Sequence, residues 1–354
     1  MTNQFVVLGI NYGGHDTSAA LMVDGQLVAA CEQERYSLDK HSRKFPMDAI
    51  EDCFRQAGIG LSDLDELAFA FDPILHIKEA YLRPSIEDSV NIERIIVDIE
   101  RIRENFQIES FLREQTKYRG PIRYYSHHLC HLASAYYPSG FEDALIVSYD
   151  GIGEIESGMI GTGRSGLIDV VYSDSKFPDS LGLLYSAITH YLGWKHHCDE
   201  GIVMGLATYG DSNNRLPGQQ TTYKEIFSQI IEVTDSYCYQ INREWIAYHR
   251  KRDKWVSDKF YKVFGPRRGS GDEIIQHHMD IAAGLQDRLE TIVVDQLRYA
   301  RDSTGLTQLC LSGGVALNCS MNGKIEQSGI FDEIFVQPAS GDSGVAVGAC
   351  FLSS

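Results

Sequence analysis

Three short apolar, β-rich runs open the chain at residues 6–10, 18–23 and 26–31, and the turn signals "YGGHD" and "VDG" separate them. The pattern predicts a β-meander whose first turn is glycine-rich. It recurs in "DALIVSYDGIGEIESGMIGTGRSGLIDVVYSDS", where strand-like runs at 144–149, 157–161 and 167–172 are again broken by glycine turns. Between the two meanders lie the amphipathic helix "PMDAIEDCFRQAG", the strand "DELAFAFDP", an acidic helical stretch at about 86–116 and the strand "IRYYSHH". After the second come "SLGLLYSAITHYLG" with Ser180 as its N-cap, "GIVMGLATYGD", a long helix at about 272–302 and the strand "TQLCLS". A glycine turn opening the helix "GGVALNCSMNGKIEQSG", the strand "FDEIFVQP" and a last turn and helix, "ASGDSGVAVGACFL", follow.

Two units of this kind predict an α/β protein with a duplicated, two-lobed fold of the actin, sugar-kinase and heat-shock ATPase kind, with a meander heading each lobe. Lobes of that fold close over a nucleotide. The expected division is 1–143 for the first lobe and 144–354 for the second, with an insertion at about 211–271. At 354 residues and 43% hydrophobic, the chain is long enough for both.

Composition removes several function classes. No apolar run approaches the roughly 18 residues of a membrane span, and "MTNQFVV" lacks the basic start of a signal peptide, so a cytoplasmic protein is expected. A net charge of −17 disfavours a general grip on nucleic acid. The basic segment "YHRKRDKWVSDKFYKVFGPRRGSG" reads as a solvated insertion with a mobile loop. Eight scattered cysteines with no C-x-x-C pair argue against a zinc ribbon and a disulfide framework.

The candidate chemistry sits in the turns. Gly13 and Gly14 let backbone N–H groups and the short side chains of Asn11, His15, Asp16, Thr17 and Ser18 approach an anion closely. In "SHHLCHLASAYY", His127 and His131 stand at i and i+4 and share one helix face, while His128 points elsewhere. Asp150 of "SYDGIGE" and Asp342 of "ASGDSGVA" lie beside glycines. Two imidazoles and two carboxylates suit iron, manganese or zinc better than magnesium. Surface histidines and ordinary turn aspartates are equally open at this point. The pairs His196–His197 and His277–His278 read as surface or cap residues.

The ordered set "GINYGGHDTSAAL", "CEQERYSLDKHSRKFP", "SHHLCHLASAYYPSGF", "SYDGIGE", "DEGIVMGLATYG", "LSGGVALNCSMNGKI" and "ASGDSGVAVGA" resembles the nodulation and antibiotic-tailoring O-carbamoyltransferases over nearly the whole chain. Their catalytic domain is related to the tRNA threonylcarbamoyladenosine transferase. The resemblance implies that His127, His131, Asp150 and Asp342 hold an Fe(II)-type metal, that His15 faces the transferred carbamoyl group and that Lys40 holds a polar or anionic group at the cleft. It further implies nucleotide contacts at Gly13, Gly14, Gly151, Gly153, Gly313, Gly314, Asn318, Asn322, Gly341 and Ser343. Relatives commonly carry lysine where this chain has Ile202. The implied reaction moves a carbamoyl group from carbamoyl adenylate, made from carbamoyl phosphate and ATP by a YrdC-like domain, to a hydroxyl of a small natural product. Relatives continue into that domain after the "GDSGVAVGA" helix, whereas this chain ends at Ser354, so either a separate YrdC-like chain is a partner or this is a truncated or repurposed domain. The alternatives are a kinase or ATPase of the same fold, a nucleotide-sensing regulatory subunit and, against the acidic balance, a tRNA-modifying enzyme.

Overall fold

A computed structural model describes residues 4–87, 92–173, 175–251 and 253–353. The apolar runs assemble into two five-stranded mixed sheets built on one plan. In the first, β1 (Val6–Asn11), β2 (Ser18–Val23) and β3 (Gln26–Glu32) form the antiparallel meander. β4 (Glu66–Phe69) pairs in parallel with β1 and β5 (Ile122–Tyr124) in parallel with β4, giving the order β3-β2-β1-β4-β5. In the second sheet, β6 (Asp143–Tyr149), β7 (Gly158–Arg164) and β8 (Leu167–Tyr172) repeat the meander. A small hairpin of β9 (Ile231–Val233) and β10 (Tyr239–Ile241) stands apart. β11 (Gln308–Ser312) and β12 (Glu333–Val336) then extend the second sheet from β6 in parallel, giving β12-β11-β6-β7-β8. The two orders are the same order, the duplicated α/β plan that the recurring meander predicts. β1 is buried throughout, as a strand flanked on both sides and covered on both faces must be.

Two helices tie the lobes together. The helix His127–Ser139 packs on β6, β7 and β11, although it precedes them in sequence. The C-terminal helix Val345–Ser353 packs back on β1, β2 and β4, and the two helices pack on each other. Glycines permit the approach: a Cβ on Gly348 would overlap the carbonyl oxygen of Cys130, and one on Gly9 would overlap that of Ala346. Because the Gly348 contact is with rigid backbone, Gly348→Ala must push the helices apart. It should lower stability by about 3 kcal/mol in chemical denaturation; parental stability would show that this contact does not hold the helices together.

The basic segment expected to be a solvated insertion is in part core. Its helix Asp258–Phe264 buries Phe260 and Phe264, which join Trp245, Tyr191, Leu289 and, from the preceding helix Tyr223–Ile230, Phe227 and Ile230 in one cluster. Arg268 is buried, donating to the carbonyls of Leu192 (2.6 Å) and Asp272 (2.7 Å) with its guanidinium 4.4 Å from the Trp194 ring centroid. The basic composition hid a tertiary role for this arginine and an apolar face at helical spacing. Within the acidic stretch the helices are Arg83–Glu87, Ile92–Val97 and Ile99–Thr116, with 88–91 outside the described residues. No helix among the described residues is long and apolar enough to cross a membrane.

Candidate functional site

The helix His127–Ser139 begins at His127, so His127 and His131 occupy its first two turns on one face. The N–H of His127 donates to both carboxylate oxygens of Glu154, at 3.0 and 3.1 Å, and Glu154 also accepts from the N–H of Asp72 at 2.7 Å. This carboxylate is fully buried at the positive end of the helix, where a negative charge is favoured. Burial nevertheless pushes its pKa up.

Around that turn four side chains converge. His127 Nε2 lies 3.1 Å from His131 Nε2, 3.6 Å from Asp150 Oδ2 and 3.4 Å from Asp342 Oδ1, and His131 Nε2 lies 3.6 Å from the same Asp342 oxygen. Each residue offers one ligand atom, all within 4.8 Å of one another. Ligands at about 2.1 Å from a common ion are separated by about 3–4 Å, so the donor set fits a single divalent cation. The electrostatics agree. Burial opposes ionisation of His127, Asp150 and Asp342, yet the imidazole–carboxylate attractions outweigh it: His127 is held well above its usual pKa, and Asp150 and Asp342 below theirs. Two buried carboxylates thus demand positive charge at the point where two imidazole nitrogens face each other.

Each carboxylate is aimed by a glycine turn. Asp150 follows β6, and its Oδ1 accepts from the N–H of Gly314 at 2.8 Å, leaving Oδ2 for the cluster. Gly313 has φ +85°, and a Cβ there would overlap the Tyr149 carbonyl oxygen, so this turn requires glycine. On the other side of Asp150 is the turn holding Gly151 and Gly153; a Cβ on Gly153 would stand 3.0 Å from His127 Cβ. Ser180 pins this turn, donating to the Asp150 and Gly151 carbonyls while capping its helix through the N–H of Leu183. His128 is turned away: its Nδ1 meets Ser148 Oγ at 2.8 Å and its Nε2 donates to the Glu156 carbonyl at 2.9 Å. Burial, with the charges of His127 and His131, lowers its pKa to about 3.

The first-lobe turn docks on the Asp342 loop. Ser18 Oγ donates to the Ser343 carbonyl at 2.8 Å, and a Cβ on Gly14 would lie 3.8 Å from Asp342 Oδ2. Gly13 has φ +106°. His15 therefore stands within electrostatic reach of the four-residue cluster. Burial disfavours its charge, but its hydrogen bond to Asp16 and the charges of Asp342, Asp16 and Asp150 together raise its pKa to about 9.

Lys40 is not in this group. It is exposed and forms no ion pair among the described residues, whereas its neighbour His41 turns inward to Asp16 at 2.8 Å. Asn318 is buried, capping the helix Cys319–Gln327 through Met321 and pairing its amide with Gln286. Gln286 in turn lines a groove of about 290 Å³ with Met204, Thr208, Asp211 and Glu290. Asn322 bonds the Ala316 carbonyl, and Gly341 faces Leu317. Ile202 is exposed on the helix Glu200–Ala207. Of the paired histidines, His278 is a cap for Ile275, and His277 bonds Tyr223 and the Phe264 carbonyl. His197 lies with its ring 6.0 Å from that of His15, burial lowering its pKa to about 4. His41, Glu154 and His197 are the site residues that sequence reasoning missed, and no local spacing marks them.

The nodulation protein NolNO of Sinorhizobium fredii is 37% identical over 96% of this chain and 46% of its own length. An uncharacterized protein of Synechocystis is 33% identical over 97% of this chain and 56% of its own. The nodulation protein NolO of Bradyrhizobium diazoefficiens is 41% identical over 65% and 38%, respectively. The chain thus spans about half the length of the first two of these relatives. Residues 6–351 match the carbamoyltransferase N-terminus model, and the chain belongs to that carbamoyltransferase family.

Proposed function

We propose that the cleft transfers a carbamoyl group from carbamoyl adenylate to a hydroxyl of a small natural product. The observation that carries this is the convergence of His127, His131, Asp150 and Asp342 beside His15, in a chain of this family. In the reaction the acceptor oxygen bonds to the carbamoyl carbon, the bond from that carbon to the phosphate oxygen breaks, and AMP departs as the hydroxyl gives up its proton. A divalent transition metal, Fe(II) on this reading, would be held by the two imidazoles and two carboxylates and would supply Lewis-acid stabilisation of phosphate or carbonyl charge.

The protein's own groups do the rest. His15, with Nδ1 committed to Asp16, offers Nε2 to the carbonyl oxygen or to the acceptor's proton. Gly13, Gly14, Gly151 and Gly313 line the turns where phosphate oxygens would approach backbone N–H groups, while the N–H groups of Gly153 and Gly314 are taken by the Glu156 carbonyl and by Asp150, so these two glycines shape the turns. The nucleoside end is assigned to the groove beside Gln286, with Asn318 shaping it through Gln286. The donor-forming step, from carbamoyl phosphate and ATP, is assigned to a YrdC-like unit in the same polypeptide or a separate one.

A phosphoryl-transfer enzyme of the same fold would use magnesium and oxygen ligands, and a site with two imidazoles does not suit that ion. Purified chain given Mg-ATP alone should release no phosphate steadily. Steady, metal-dependent release would replace carbamoyl transfer with kinase or ATPase chemistry.

A further inference from the structure

Asp16 sits between two imidazoles, a juxtaposition that the metal cluster does not explain. Its Oδ2 lies 2.8 Å from His15 Nδ1 and its Oδ1 lies 2.8 Å from His41 Nδ1. An ionised carboxylate only accepts hydrogen bonds, so both Nδ1 atoms must be donors. The hydrogen bond made by one ring nitrogen decides the state of the other.

The scaffold around this pair is built to hold it. Asp16 and His41 have φ +56° and +55°, a backbone region that aspartate, asparagine and histidine enter more readily than most residues. The N–H of His41 donates to Glu34 Oε2 at 2.9 Å. Thr17 ties the same loop to the first turn, its N–H donating to the Ser42 carbonyl at 3.2 Å and its hydroxyl to the Lys44 carbonyl at 2.7 Å. The loop that was expected to deliver Lys40 therefore delivers His41.

We infer that Asp16 is the positioning residue of His15: it holds Nδ1–H, leaves Nε2 as the only ring nitrogen free for substrate, and is kept from rotating by His41 on its second oxygen. The importance of Nε2 rests on the reading of His15 as the group facing the reacting carbonyl; the anchoring itself does not.

The test is long-range ¹H–¹⁵N NMR on the full chain with labelled histidine, recorded above the pH at which either ring is protonated. His15→Asn and His41→Asn variants identify the two sets of signals. In the parent both rings should carry the proton on Nδ1. In Asp16→Asn, whose side chain tolerates the same φ, the new amide can accept from one Nδ1–H but donates to the other, so at least one ring should move to the Nε2–H form. A parent in which either ring is Nε2–H, or an Asp16→Asn variant in which both rings remain Nδ1–H, overturns the inference. Should the parent show both protons on Nδ1 yet catalyse no transfer, the reacting role of His15 fails and the anchoring stands.

Discussion

Replacing His15 with asparagine should cut carbamoyl transfer by about 10²-fold or more while metal and nucleotide binding remain near parental levels. The separation is expected because His15 reaches the metal-side carboxylates only through their field, whereas the four converging side chains and the glycine turns are left intact. Asparagine keeps a polar group in the turn but cannot carry the charge. The same variant should lose a pH-dependent share of stability. A histidine raised from 6.5 to about 9 on folding stabilises the fold fully below pH 6.5, and that contribution fades as pH rises through about 9. Unfolding curves of parent and variant should therefore converge across that window. A variant that transfers at the parental rate would return His15 to an ordinary turn position.

His131→Ala should remove bound transition metal, taking it from about one equivalent to a small fraction by elemental analysis. His131 is completely buried and contributes one of two facing nitrogens, so three ligands remain, two of them carboxylates that suit harder ions. The helix should persist, because its packing on β6, β7 and β11 comes from Leu132, Ala135 and Tyr136 rather than from the imidazole. Far-ultraviolet circular dichroism near that of the parent would separate metal loss from unfolding. One full equivalent of metal in a folded His131→Ala chain would take this residue out of the site.

Much of the fold was legible because its signals are local. Alternating apolar runs and glycine turns mark both meanders, as for β2 at Ser18–Val23 and β8 at Leu167–Tyr172, although β7 runs to Arg164, three residues beyond the expected end. The parallel additions of β4 and β11 to β1 and β6 follow from strands flanked by helices. The exchange of helices was not legible. Nothing in the periodicity of His127–Ser139 says that it covers the sheet that follows it, and only the contact of Gly348 with the Cys130 carbonyl shows why the two helices can meet so closely. The site divides the same way. An i, i+4 histidine pair is visible in a linear pattern, whereas the approach of Asp150 and Asp342 to it depends on tertiary closure and came from resemblance. Lys40 and His41 show the limit: a single turn of left-handed backbone at His41 decides which of two adjacent side chains faces inward. Asn318, expected at the nucleotide, is occupied by a helix cap and by Gln286, a partner 32 residues away in sequence.

The most direct measurement supplies the purified, metal-loaded chain with ¹³C-carbamoyl adenylate and a panel of small polyhydroxylated acceptors, and follows products by mass spectrometry and ¹³C NMR. Carbamoyl transfer at this cleft predicts AMP release that accelerates with a suitable acceptor, a labelled carbamate ester on its oxygen, and loss of both in Asp342→Asn. Carbamate formation unchanged in Asp342→Asn, or AMP release that no acceptor in the panel accelerates from a chain shown to bind the donor, would contradict it.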